Sequence, residues 1–163
     1  MNMESQVLEI LEKNSKLTPA EIAVMIGAEE AAVSELIQQL EEKKIIFGYK
    51  ALINWEKTEE EAVSALIELK VTPEQGEGFE KIAENIIRQY PMVKAVSLIS
   101  GRYDLLVEID GKNMKDVALF VAEKLAPLDG VVSTATHFIL RRYKQDGVVI
   151  SEKVKDERRV ISL

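Results

Sequence analysis

The sequence predicts an α+β protein in two parts, three helices at the N-terminus followed by a half in which strands and helices alternate. Three observations predict it. Apolar residues recur at helical spacing through the first 45 residues, the pattern turns to period two after Ile45, and the elements from Ala62 to Leu140 run β-α-β-β-α-β.

The helical part divides naturally. Val7, Ile10 and Leu11 form one stripe, which ends at Lys13-Asn14-Ser15-Lys16. Thr18 can cap a second helix, Pro19 suits its first turn, and Glu21, three residues after Thr18, completes a capping box. Ile22, Ala23 and Ile26 face inward and Gly27 supplies a tight stop. A third helix carries Val33, Leu36, Ile37 and Leu40. Two short helices about a glycine turn, preceded by a third, are the layout of a helix-turn-helix. Ala23 stands four residues before Gly27, where a small side chain lets the helices cross closely, and Val33 six after it, where an apolar group must reach back. The boundaries that follow are a helix-turn-helix over 1–45, an extended linker (IFGYKALIN and the acidic stretch after it) over 46–61, an α+β domain over 62–144 and a tail over 145–163.

In the second part, Val63, Ala65, Ile67, Leu69 and Val71 alternate onto one face of a strand. Pro73 and the glycines of PEQGEG break it. Phe79, Ile82, Ala83 and Ile86 make a helical stripe, VKAVSLI and YDLLVEI flank the turn SGR, and Met114, Val117, Ala118, Val121 and Leu125 form a second stripe stopped by Pro127. VVSTATHFIL closes the series. This order is the split-βαβ, or ferredoxin-like, plan: two helices cover one face of an antiparallel sheet, and the other face meets water or a partner. With Leu66 and Leu106 on it, that open face is expected to be apolar and to form a dimer.

Composition narrows the function. The 163 residues contain no cysteine, which excludes disulfides and thiolate metal sites. There is no signal-peptide pattern and no run of roughly 18 apolar residues, so a soluble intracellular protein with no membrane contact is expected. His137 is the only histidine and has no nucleophile near it in sequence. GEGFEK lacks phosphate-loop spacing, and the acids lie mostly on helix exteriors. No catalytic residue, metal or cofactor is expected, and the protein is not read as an enzyme. The net charge of −7 is uneven: −4 over residues 1–50, −6 over 51–140 and +3 over 141–163.

With IIFGYKALIN, ISGRYDLLVEI and GVVSTATHFIL following the helix-turn-helix in that order, the chain resembles the Lrp/AsnC family, the leucine-responsive or feast/famine regulators, from about residue 4 to 144. The resemblance implies a cytoplasmic transcription regulator whose N-terminal domain binds double-stranded DNA. It implies a C-terminal domain that dimerises, dimers that ring into octamers or similar assemblies, and small effectors, often amino acids, held between dimers.

In one respect the sequence departs from the family, whose recognition helices usually carry several Arg or Lys. Here the helix reads EEAAVSELIQQLEEKK, with five acids and Lys43 and Lys44 at its end. Its exposed face offers Ala31, Ala32, Ser34, Glu35 and Gln38; Ser and Gln can read base edges and Glu can accept from cytosine N4, but none clamps phosphate. Avidity across an assembly, or Lys13, Lys16, Lys50, Arg141, Arg142, Lys144, Arg158 and Arg159, could compensate, though the tail reads better as a solvated terminus. A rival reading is an effector-binding assembly protein whose acidic helix-turn-helix contacts another protein.

The G-x-Y-D turn is the candidate effector site. Gly101 permits a sharp turn with an accessible amide, and Asp104 puts a carboxylate opposite Tyr103, which together suit a zwitterion. The resemblance implies that Ser100, Gly101, Arg102, Tyr103, Asp104, Thr134 and Thr136 line the site. The alternative is that Asp104 simply caps the turn through backbone amides.

Overall fold

The computed structural model describes residues 2–59, 62–72 and 78–150. Two compact units divide it, Met1–Ile53 and Asn54–Leu163.

In the first unit α1 spans Met3–Lys13, α2 Pro19–Ile26 and α3 Glu30–Glu42. The capping box at α2 forms as the sequence indicates. Thr18 Oγ1 accepts the Glu21 amide, and Glu21 Oε2 accepts the Thr18 amide at 2.7 Å. The Thr18 amide, and then the Thr18 hydroxyl donating to the same Glu21 oxygen at 2.9 Å, hold the Glu21 carboxyl below the usual carboxylate range. Gly27 ends α2 in the left-handed region at φ 70°, a conformation that costs other residues a steric contact at Cβ. Val7, Leu11, Ile22, Ala23 and Val33 are buried together, so the three helices close on a single core.

The unit extends past the expected boundary at residue 45. Ile46 packs against that core. Residues 45–50 run beside α1 and enclose with it an open groove of about 310 Å³, lined partly by Leu8, Leu11 and Phe47. The Tyr49 hydroxyl donates to Glu41 Oε1 at 2.8 Å. Burial, and then this bond, push the Tyr49 pKa up. Residues 46–54 carry neither helix nor strand pairing, consistent with an extended segment, but their first part belongs to the helical unit.

The second unit contains β1 (Val63–Val71), α4 (Glu80–Gln89), β2 (Val93–Leu98), β3 (Leu105–Gly111), α5 (Met114–Phe120) and β4 (Val131–Phe138). The sheet order is β2-β3-β1-β4, antiparallel throughout. The expected βαββαβ plan is therefore present. Ala65, Ile67, Leu69, Leu105, Val107 and Ile109 project to one face and are buried with Ile82 and Ile86 of α4 and Val117 and Phe120 of α5. The break expected at Pro73 lies outside the described residues.

Two elements differ from the sequence reading. The second helix does not keep one α-helical stripe: after Phe120 it continues as a π turn over Val121–Leu125, closed by Ala126 N–H to Val121 O at 2.8 Å. The wider turn brings both Phe120 and Val121 inward, while Met114 and Ala118 are exposed. The tail, too, begins with structure. Strands β5 (Lys144–Gln145) and β6 (Val148–Val149) pair about Asp146-Gly147, both at positive φ, the backbone that a two-residue hairpin turn requires. Arg158 and Arg159 lie outside the described residues.

Candidate DNA-reading helix and effector turn

The helix-turn-helix geometry leaves one face of α3 to solvent. Val33 and Leu40 are buried, and Ala31, Ala32, Ser34, Glu35 and Gln38 are all exposed, as are Lys43 and Lys44 beyond them. Two of the candidate base readers are occupied by neighbours one turn away. Gln38 Nε2 donates to Glu42 Oε1 at 2.9 Å, and Gln39 Nε2 donates to Glu35 Oε1 at 3.3 Å. Such exposed side-chain bonds contribute only about 0.2–0.5 kcal/mol each and yield readily to a stronger partner. The acids are the larger obstacle: Glu29, Glu30, Glu35, Glu41 and Glu42 all sit on the surface of this segment.

The turn between β2 and β3 is closed by Ile99 N–H donating to the Asp104 carbonyl at 2.8 Å. Ser100, Gly101 and Arg102 are exposed at its tip. Gly101 has φ 152°, a conformation that L side chains rarely adopt, and a Cβ there would meet open space. The Arg102 guanidinium lies over the Tyr103 ring, 5.8 Å from its centroid, within cation–π range. The structure thus brings Ser100 to Asp104 together as one projecting group.

Asp104 does more than close that turn. Its own N–H donates to Leu69 O at 3.0 Å. Its carboxylate accepts the Val71 amide at 2.9 Å and the Lys70 ammonium at 3.0 Å. First the Val71 amide and then Lys70 hold its pKa below the usual range. The amide it binds is on β1 and not in its own turn, so it ties the start of β3 to the end of β1.

Thr134 and Thr136 do not share Asp104's face. They pair with Leu69 and Ile67, whose side chains lie under the helices, whereas Asp104 continues the Leu106 and Glu108 side of β3. Thr134 stands level with the turn at the same end of the sheet, but within one chain it projects the other way.

The open face is also less apolar than its two leucines suggested. Leu66, Leu106 and Ala135 are interleaved with three ion pairs and one histidine–carboxylate hydrogen bond. Lys70 meets Asp104, Lys94 meets Asp110 at 3.3 Å, Arg142 meets Glu108 at 2.7 Å, and His137 Nε2 lies 3.0 Å from Glu68 Oε2. The sequence holds a signal for this: strand alternation puts Asp104, Glu108 and Asp110 on one side of β3, and three acids on a sheet face call for cations. Among the described residues no group of three or more His, Asp or Glu side chains is placed to hold a metal. No helix among them is long and apolar enough to cross a membrane.

Comparison with known proteins agrees with both units. Residues 64–149 match the Lrp/AsnC ligand binding domain and residues 4–46 a winged helix-turn-helix DNA-binding domain. The chain belongs to the Lrp/AsnC family. It is 48% identical over 98% of its length to the HTH-type transcriptional regulator YugG of Bacillus subtilis, covering 96% of that protein. It is 30% identical to the family regulator LrpA of Pyrococcus abyssi, over 85% of this chain and 94% of that one. Its fold matches the Neisseria meningitidis transcriptional regulator NMB0573 in complex with L-Met, with a TM-score of 0.71 and 21% identity over 89% and 92% of the two chains. As a member of this family the chain is a transcriptional regulator that joins a helix-turn-helix DNA-binding domain to a ligand-binding domain. The ligand-binding match spans the Gly101–Asp104 turn and the β5–β6 hairpin, so that hairpin belongs to the family domain and is not an appended tail.

Proposed function

We propose that this regulator binds duplex DNA as a cytoplasmic, non-catalytic homodimer whose dimers assemble further, to an octamer or similar ring, and that an amino acid held at the 100–104 turn between dimers sets its activity. The observation that carries the effector reading is the turn itself: exposed Gly101 and Arg102 at its tip, followed by Asp104, whose carboxylate is fixed to the end of β1. Arg102 and the turn amides suit a ligand carboxylate. Each Asp104 oxygen keeps a second lone pair, so the group can accept an ammonium while bound to Val71 and Lys70. Thr134 and Thr136 enter this site only from a neighbouring copy, since their own face points away. The L-Met complex of NMB0573 supports an amino acid as the ligand class. Dimerisation is assigned to the open sheet face, where Leu66, Leu106 and Ala135 lie uncovered by either helix.

Calorimetry with a panel of amino acids, L-methionine included, tests the effector site. At least one should bind the wild type and bind Arg102→Ala tenfold or more weakly. Equal binding to both proteins would remove Arg102 from the site, and no binding by any amino acid would overturn the ligand class.

A second reading is favoured by the acidic α3 surface: an effector-binding assembly protein whose helix-turn-helix contacts another protein. Retention on duplex DNA that falls steeply with salt argues against it, because phosphate contacts release counterions.

A further inference from the structure

The charge balance of the open face turns on a single proton. Three of its four acids face a permanent cation: Asp104 faces Lys70, Asp110 faces Lys94 from β2, and Glu108 faces Arg142 from the segment after β4. Each of these pairs joins one carboxylate to one Lys or Arg, so its formal charges cancel. Glu68 is the exception. Its partner across the β1–β4 ladder is His137, the one histidine of the chain. Histidine is the side chain whose charge ordinarily changes between pH 5 and 8.

We infer that self-association through this face is linked to protonation of His137, one proton for each copy, so that the dimer is tighter in mildly acidic than in mildly alkaline solution. The inference rests on the reading above that the open face meets a second copy. A neutral imidazole can still donate to Glu68, but the pair then carries a net charge of −1. A two-fold contact brings two such pairs into one interface. Closing it strips water from both carboxylates, and an uncompensated charge removed from water is costly. Imidazolium removes that charge. The surroundings sharpen the effect: Leu66 lies directly across from His137, and Ala135 and Leu106 lie on either side of Glu68. Lys70, the next side chain on that face of β1, is already 3.0 Å from Asp104. In the single chain the His137 side chain is 59% exposed, so a second copy can cover it.

Sedimentation equilibrium of the full chain from pH 6 to pH 8, at fixed ionic strength, tests this. The wild-type dimer Kd should be at least about tenfold lower at pH 6, with two protons per dimer setting a ceiling of about 100-fold per pH unit. His137→Gln should abolish the dependence. Glu68→Gln should invert its sign, since the charge left unbalanced is then the imidazolium. A flat wild-type profile, an unchanged slope in His137→Gln, or no inversion in Glu68→Gln would overturn the linkage. Leu106→Glu and Ala135→Glu, each checked for native circular dichroism, separate this from failure of the interface reading. If both keep the wild-type mass the face is not the contact. If they dissociate while the wild type is flat with pH, the contact stands and only the proton linkage falls.

Discussion

Asp104 accepts the Val71 backbone N–H at 2.9 Å, joining positions 33 residues apart in the sequence and fixing the turn between β2 and β3 from behind. The tip of that turn, Ser100 to Arg102, is thereby presented by a rigid base. Preorganisation of this kind lowers the ordering cost that a ligand meets on binding.

Replacing Asp104 with Asn tests how much of its role is structural. The amide can still offer one oxygen to Val71, but it turns an NH2 toward the Lys70 ammonium, donor against donor. Asp104→Asn is expected to lower the Tm at neutral pH. Because the folded pKa is depressed, the stabilisation by the carboxylate is fully present above the unfolded value of about 3.9 and is lost as pH falls through the folded value. Thermal melts from pH 7 downward should show the two proteins converging only in strong acid. A Tm gap that is constant with pH would assign the effect to shape and not to charge.

The first unit gives a prediction about local structure. Thr18→Ala removes one side-chain acceptor at the start of α2 and is expected to cost about 1 kcal/mol. Gly27→Ala keeps every contact, since a Cβ there meets nothing within 4 Å, and is penalised only by its φ of 70°. That penalty is about 1–2 kcal/mol, and smaller for Asn, which tolerates the left-handed region. Urea denaturation of the three variants should rank them so. Equal losses for Gly27→Ala and Gly27→Asn would contradict the backbone account.

Much of this architecture was legible because it rests on local patterns. The capping box at Thr18 and Glu21, the stop at Gly27 and the alternation of β1 each depend on residues a few positions apart. What escaped depends on distance. Asp104 could be placed on a face, but its partners Lys70 and Val71 are supplied by strand order, which no local pattern encodes. The same holds for Thr134 and Thr136: their side of the sheet follows from pairing with Leu69 and Ile67. The π turn at Val121–Leu125 shifts the helical register by one residue, and a fixed 3.6 period cannot anticipate that.

Packing at the end of β3 far from the turn gives a second structural prediction. A Cβ on Gly111 would stand 2.6 Å from Val117 Cγ2, and Val117 is fully buried. Valine has little rotamer freedom with which to yield. Gly111→Ala is therefore expected to destabilise by about 1–3 kcal/mol, the usual cost of overpacking. Val117→Ala opens the space, so the double variant should lose about 0.5–3 kcal/mol less than the sum of the singles. Additive losses in chemical denaturation would show that the strand and helix move apart without this contact.

The last prediction concerns the acidic face of α3. Glu35 is exposed and bonded only weakly to Gln39, 3.3 Å away on the next turn. If this face approaches DNA, its carboxylate stands near phosphates and repels them, so Glu35→Arg both removes a repulsion and adds a phosphate partner. Affinity for nonspecific duplex at low salt should rise, and the slope of log K against log salt should steepen by about 0.9 for the one added contact. The same substitution at Glu9, on α1, serves as the control, since it changes the net charge equally and leaves α3 alone. A rise in affinity confined to Glu35→Arg places α3 at the groove. Equal rises in both variants would reflect net charge alone. No change in either would leave DNA to another surface and favour a protein partner for the helix-turn-helix.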